Sequence, residues 1–373
     1  MRLVKRFSTL FPYCILFLFI LALNIMARKL PGFGEWYATT IYPLFVNSIA
    51  RILSPLPFSV VEFALYALLL IGLFFFARGL WHVFQKKRRL LSFFGSCAKK
   101  VLLLAELLLL VYTLTCGINY HRIPFSVKEG FDVQKSSVQE LIGLCESLTQ
   151  DLQTLTPLVP RDTNGCALVP EHAPQIAAQA MTNLGSLYPS LAGYYPNPKI
   201  LVVSEILSYQ HLTGVYSPFT IEANVNGDMT AYNLPLTLCH ELSHLTGFMR
   251  EDEANFIGYL ACRNSEDISF RYGGTLLAYI YATNALAKED REAWKQIRMQ
   301  LPEEANIDLI ANNAFWDRYE GKIAEVSDKV NDTYLKLNNQ TDGIKSYGRV
   351  VDLLLAEYRA LKASTDRCND ESR

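Results

Sequence analysis

Hydrophobic residues are arranged along this chain in two ways. Up to about residue 120 they run on without a period. No charge lies between Arg6 and Arg28, only Glu62 between Arg51 and Arg78, and only Glu106 between Lys100 and His121. Crossing the hydrocarbon of a bilayer takes roughly 20 mainly apolar residues in a helix. The three runs predict three transmembrane helices, at about 8–27, 59–77 and 101–119. Glu62 and Glu106 fall near the ends of their runs, where an acid reaches the headgroups or a partner on a neighbouring helix.

Beyond a short linker at 121–135, periodic patterns take over. Val138, Leu141, Ile142, Cys145, Leu148 and Leu152 recur at helical spacing behind Ser137. A Pro/Gly/Asn-rich loop follows at about 157–170, then a helix over about 173–188 that stops at Pro189. KILVVSEIL (199–207) is β-branched and short, as a strand is, and VYSPFTIEANVN (215–226) continues in that character. Pro218 confines its strand to an edge or a bulge. From 234 to about 360 the pattern is helical, broken at Pro302 and at NNQTDG (338–343). The last helix, SYGRVVDLLLAEYRAL, is apolar along one side and is expected on the core, with a loose polar tail after Ser364. The expected fold class is therefore α+β. A membrane domain over 1–120 carries three transmembrane helices, and a mostly helical domain over 121–373 contains a small antiparallel sheet.

Charge sharpens this division. Lys plus Arg number 35 and Asp plus Glu 36, a net charge of −1. Residues 1–120 hold 13 basic residues and 3 acids, or +10, which leaves 22 basic and 33 acidic, or −11, in residues 121–373. An acidic second part disfavours nucleic acid as a partner. The high hydrophobic content excludes disorder. The loop Arg78–Lys100 carries seven basic residues, which places it and the N-terminus in the cytoplasm and residues 121–373 outside it. The first run has the basic start of a signal peptide (Arg2, Lys5, Arg6), but no small-x-small cleavage site follows. The expected location is a multi-pass protein of the cell membrane with the bilayer as a partner. Oligomeric state is not set by the sequence.

The 8 Cys form no CxxC pair, which excludes a Cys-rich zinc ribbon. Cys145 with Cys166, or Cys239 with Cys262, are candidate disulfides in an oxidising space, and free buried thiols are the equal alternative.

One segment carries chemistry. Residues 240–244 read His-Glu-Leu-Ser-His. Positions four apart share a helix face, so His240 and His244 can reach one metal ion, and imidazole nitrogen in tetrahedral geometry suits zinc. Glu241 projects beside the open coordination position, where it can take a proton from an activated water. Asn233 is a candidate cap for this helix, Pro235 suits its first turn, and Gly247 suits a left-handed stop. A third ligand is expected just beyond. Glu251 is the first choice and Glu253 the rival, although acids in a first helical turn also answer the helix dipole. Asn255, four residues after Glu251, can orient a His ligand.

These residues resemble the gluzincin metallopeptidases, in which a Glu-x-x-x-Asp helix follows HExxH and gives the third ligand. Asn255 stands where the Asp is usual, and Glu251 follows His244 closely. The metzincin pattern HExxHxxGxxH matches at Gly247 but has Arg250 in place of its third His. The chain as a whole is similar to an uncharacterised bacterial family of membrane-anchored proteins, domain of unknown function number 3810. That resemblance rests on the N-terminal runs, INYHRIPFS, VYSPFTIEANVN, LCHELSHLTGFMREDEANFIGYLAC and SYGRVVDLLLAEY.

The resemblance implies a zincin-like domain holding one zinc ion on His240, His244 and Glu251, with Glu241 as general base. The expected function is a membrane-anchored zinc metallopeptidase acting on a peptide or protein, with an edge strand around 215–226 receiving the extended substrate. Tyr272 and Tyr279 are candidate partners for the oxyanion, and His211 is read as a loop residue. A non-catalytic metal- or partner-binding sensor or scaffold is the alternative. A small-molecule amide or ester hydrolase is a third reading.

Overall fold

The computed structural model describes residues 2–85, 90–338, 340 and 349–371, with side chains described for 11–364 of these. It is mostly helical and divides into two compact units. The first is Met1–Arg122 with Ser217–Glu222, and the second is Ile123–Tyr216 with Ala223–Arg373.

In the first unit, α1 (Arg2–Lys29) and α2 (Phe33–Thr40) are followed by short helical turns as far as Leu53. The segment between the first two apolar runs is thus largely helical. Helix α3 (Val60–Phe84) starts at Ser59, whose side chain accepts the Glu62 N–H. Its first amides, Val60 and Val61, donate to the two carboxylate oxygens of Glu222 at 3.1 Å each. These are orphan donors of a helix start, and a buried carboxylate satisfies them. Helix α4 (Leu90–Thr115) runs alongside α1, where Asn24 donates to Thr113 Oγ1 at 3.3 Å. Glu62 accepts from Tyr66 OH, which accounts for one of the two acids within the apolar runs.

Among the described residues two helices, not three, are long and apolar enough to cross a membrane: Phe11–Lys29 and Val60–Phe84. Only 11% and 6% of their most apolar windows is buried, so neither is a core helix. The expected third span at 101–119 is corrected. Helix α4 contains Lys99, Lys100 and Glu106, and its apolar stretch Val101–Thr115 is about 22 Å long against roughly 30 Å of hydrocarbon. It then tightens into a 3₁₀ turn at Gly117–His121. Lys86–Arg89, the centre of the expected basic loop, lie outside the described residues, as do the side chains of Arg2, Lys5 and Arg6.

The second unit is built on five buried helices. Helix α5 (Val138–Leu155) begins with a capping box between Ser137 and Glu140 and buries Leu141, Leu144, Cys145, Leu148 and Leu152. Helix α6 (Ala173–Leu187) buries Ala177, Ala178, Met181 and Leu184 in the core. Helices α8 (Leu234–His244) and α9 (Glu251–Arg263) are buried almost throughout, and α10 (Ile268–Glu289) closes over them. A Cβ on Gly258 of α9 would sit 3.1 Å from His240 N and Leu236 O, so glycine is what lets α8 and α9 approach so closely. Helices α11 (Arg291–Arg298), α12 (Glu303–Asp317), α13 (Lys322–Leu337) and α14 (Val350–Glu371) follow. Val350, Val351, Leu353, Leu354 and Leu355 of α14 are buried, as the apolar side of that helix requires. Most of the NNQTDG turn, Ser346–Gly348 of the last helix pattern and the side chains of the polar tail lie outside the described residues.

Between α6 and α8 lie β1 (Lys199–Ile200), α7 (Glu205–Tyr209), β2 (Gly214–Ser217) and β3 (Glu222–Val225). The sheet order is β1-β3-β2. Strand β1 runs parallel to β3, with Lys199 opposite Asn224 and Ile200 opposite Val225, so the sheet is mixed rather than antiparallel. KILVVSEIL is not one strand. It has partners for only two residues, and its remainder turns into α7. Strand β2 is an edge, and Pro218 lies in the turn just after it.

Of the two alternatives for the cysteines, the structure has the free thiols: Cys145, Cys166, Cys239 and Cys262 are unbridged, and the buried Cys262 Sγ donates a weak hydrogen bond to Cys239 Sγ at 4.0 Å.

Candidate metal centre

The site is assembled from the end of α8 and the start of α9. His240 and His244 are one helical turn apart with ring centroids 4.9 Å apart. Gly247 then takes φ +88, the left-handed turn read from the sequence, which reverses the chain within seven residues so that α9 starts beside the imidazoles. The expected Asn233 cap is not made. Asn233 has helical dihedrals, and its side-chain amide donates to Thr230 Oγ1 and Asn312 Oδ1 instead.

Glu251 is brought to both imidazoles. Its carboxylate oxygens lie 3.2 Å from His240 Nε2 and 4.0 Å from His244 Nε2. Tetrahedral ligands at zinc distances stand about 3.4 Å apart. The three ligand atoms lie within 4.8 Å of one another, a spread that a small inward movement closes, and the cluster can hold a metal ion. Glu253 is not with them. It is turned to the opposite side of α9, where its carboxylate accepts the Phe125 N–H at 2.7 Å. Asp252 pairs with Arg349 at 3.3 Å.

The far nitrogens of both imidazoles are fixed. His244 Nδ1 donates to the Phe248 carbonyl at 2.8 Å, a bond that needs the proton on Nδ1 and leaves the Nε2 lone pair directed at Glu251. His240 Nδ1 is 2.9 Å from Asn255 Oδ1, the orienting contact expected of Asn255. Tyr281 OH reaches the same Asn255 oxygen at 3.5 Å.

Burial and Glu251 set the electrostatics. Burial presses the His240 pKa down, but the hydrogen bond and charge of Glu251, then the charge of Glu241 and the Asn255 contact, more than offset it, to about 9. His244 is lowered to about 4, mainly by burial, against the pull of Glu251. Burial raises Glu241 to about 8, with His240 opposing and Glu251 adding. These values belong to the metal-free protein. A dication here would hold both imidazoles neutral and Glu251 ionised. The donor set fits such an ion, because two Nε2 atoms and a carboxylate converge within 4.8 Å of one another. Glu241 Oε2 is buried without a hydrogen-bond partner among the described residues.

A cavity of about 390 Å³ opens on this cluster. Its floor is α8 and α9. Its walls are His211–Gly214 and Tyr281, and Ser327, Asp328 and Asn331 of α13 also line it. Tyr272 and Tyr279 do not line it. Tyr272 hydrogen-bonds the buried Asp308, and Tyr279 is core, so Tyr281 is the tyrosine of the site.

Gly214 escaped the sequence reading. A Cβ there would lie 2.5 Å from Glu241 Oε1, so glycine on the edge strand makes room for the Glu241 carboxylate. An isolated glycine at the start of a β-branched run was the available signal.

A family model described as "protein of unknown function (DUF3810)" matches residues 37–355. No curated protein and no solved structure matches the chain.

Proposed function

Because the chain belongs to this family of unknown function, its activity has to come from its own site, and we propose that it is a membrane-anchored zinc metallopeptidase. The observation that carries this is the convergence of His240 Nε2, His244 Nε2 and the Glu251 carboxylate beside a buried, unpartnered Glu241 oxygen. Two histidines and a glutamate are a catalytic rather than a structural donor set, because one coordination position stays open.

Zinc on these ligands would supply a Lewis acid that activates water and polarises a carbonyl. The rest is done by the chain. Asn255 and the Phe248 carbonyl hold the two rings so that their Nε2 atoms stay aimed. Glu241 takes the proton of the attacking water and passes it to the leaving amine. The edge strand β2 supports a peptide as substrate. Its Gly214 lies against Glu241, so an extended segment pairing with β2 would run beside the base.

The exposed apolar surfaces of Phe11–Lys29 and Val60–Phe84 support the anchor. An extracytoplasmic catalytic unit further requires α4 to complete a crossing. Reporter fusions after residues 95 and 130 must then lie on opposite sides, and fusions on the same side place the unit in the cytoplasm.

The deciding experiment is zinc analysis and peptide turnover on the full chain in detergent. One zinc per chain, with turnover that Glu241→Gln abolishes while keeping the metal, is the expected result. Metal without turnover over broad peptide libraries would favour a sensing or scaffold domain, and no stoichiometric zinc would refute the metal centre.

A further inference from the structure

His211 occupies a position that the backbone would assign to glycine. Helix α7 ends at Tyr209, with Gln210 as its cap. Leu212 N then bonds Leu207 O at 3.0 Å and His211 N bonds Ser208 O at 3.0 Å. This pair of bonds is the Schellman closure, whose hinge residue lies in the left-handed region and is usually glycine. Here that residue is His211, at φ +55, one of two non-glycine residues with positive φ among those described. An L-residue with a β-carbon is strained there, so the local fold gains nothing from a histidine.

The side chain answers what the backbone does not. The ring packs edge-on against Trp316 of α12, with centroids 5.6 Å apart and planes at 70°, which fixes its direction. His211 lines the same cavity as Glu241, His240 and Glu251. Its Nε2 is shielded from solvent and has no hydrogen-bond partner among the described residues. A strained hinge, a ring held by an aromatic neighbour and a buried, unused ring nitrogen on a residue that lines this cavity belong together if the nitrogen has a partner only when substrate is bound.

We propose that His211 is a catalytic residue of this site, whose Nε2–H donates a hydrogen bond to the scissile carbonyl oxygen as that oxygen gains negative charge. The assignment rests on the peptidase reading above. It gives the wall opposite the α8 ligands a role that sequence position alone hides, since His211 precedes the motif by a whole hairpin. No proton is transferred. The ring keeps its proton, and the bond strengthens as the carbonyl becomes tetrahedral.

The test compares full-length wild type, Glu241→Gln, His211→Asn and His211→Gly, each zinc-loaded in detergent. Glycine and asparagine both tolerate the left-handed hinge, so neither variant breaks the turn; glycine removes the donor outright, whereas asparagine keeps a shorter N–H that can stand in for it. Loss of one such donor is expected to lower kcat by about 10²–10³, with KM changed less than about threefold. Zinc content should match wild type and the unfolding midpoint should stay within about 3 °C. Wild-type kcat in His211→Gly would overturn the proposal. So would a fall in kcat that comes with zinc loss or a lower unfolding midpoint in both variants, because the ring would then serve the fold. Failure of the peptidase reading has a different signature: wild type and Glu241→Gln would be equally inactive, and His211 would have no reaction to serve.

Discussion

Replacing Gly214 with alanine tests whether an edge strand sets the position of the base. The new methyl carbon would stand 2.5 Å from Glu241 Oε1, 2.8 Å from Cγ and 2.9 Å from Cδ. Ordinary contact begins near 3.4 Å, so the carboxylate must retreat by about 0.9 Å. The backbone needs no change, since Gly214 is not at positive φ, and the end of a Glu side chain yields more easily than a paired strand. Misplacing a reacting group by about 1 Å costs on the order of 10²-fold in rate, or about 2.7 kcal/mol of transition-state stabilisation. The three nearest atoms all belong to Glu241, so His240, His244 and Glu251 are spared and the metal should remain. The assay is zinc per chain together with kcat and KM on a fluorogenic peptide, with the neighbouring exposed Val215→Ala as control. A Gly214→Ala protein with wild-type kcat refutes the reasoning, because Glu241 would then not need its place. Loss of zinc refutes it differently, by showing that the strand shapes the ligands rather than the base.

Asn255→Ala should weaken zinc binding about 10–100-fold in a competition titration, since His240 loses its orienting contact; unchanged affinity removes Asn255 from the site. Glu253→Ala should leave zinc stoichiometry intact yet destabilise the fold by about 1–3 kcal/mol, because the buried Phe125 N–H loses its acceptor. Zinc loss with an unchanged denaturation midpoint would reinstate Glu253 as the ligand. Without metal, His240 (about 9) and Glu241 (about 8) keep protons in the folded chain that the unfolded chain has released. Folded protein then binds more protons between about pH 6.5 and 9, so the stability of the metal-free chain falls as pH rises through that window. Zinc loading should flatten the trend, and a metal-free midpoint that rises across the window contradicts the assignment.

How far the sequence was legible follows from how local each feature is. His240, Glu241 and His244 share one helical turn, and Gly247 sets the reversal after them, so four residues in a row of eight declare the centre. For the third metal-ligand candidate the sequence put Glu251 first and kept Glu253 as its rival. Both start the same helix, and what separates them is the Phe125 N–H, which lies 128 positions from Glu253 in the chain. Helices announced themselves by period and caps, as Ser137 with Glu140 did. Strands did not, because a strand needs a partner. Residues 199–207 have every β-branched quality, but β3 offers them only Asn224 and Val225. The third apolar run failed for a different reason. Its composition matches a span, but within its helix Lys99 and Lys100 precede it and the helix ends at Thr115, which leaves only Val101–Thr115 apolar.

The residues that shape the cavity are the least legible and the most specific to this chain. Gly214 and His211 sit on a segment the sequence could describe only as hairpin and loop, and Asp328 and Asn331 come from α13, more than 80 residues beyond the motif. Their common feature is that local rules misfit them. A glycine interrupts a strand, and a histidine takes a glycine's hinge. Such misfits cost stability wherever they occur, so a fold keeps them where another group requires the space or the direction. At Gly214 that group is already on the page, the Glu241 carboxylate. At His211 it is the oxygen of a bound substrate, which explains why the strain is visible before its partner is.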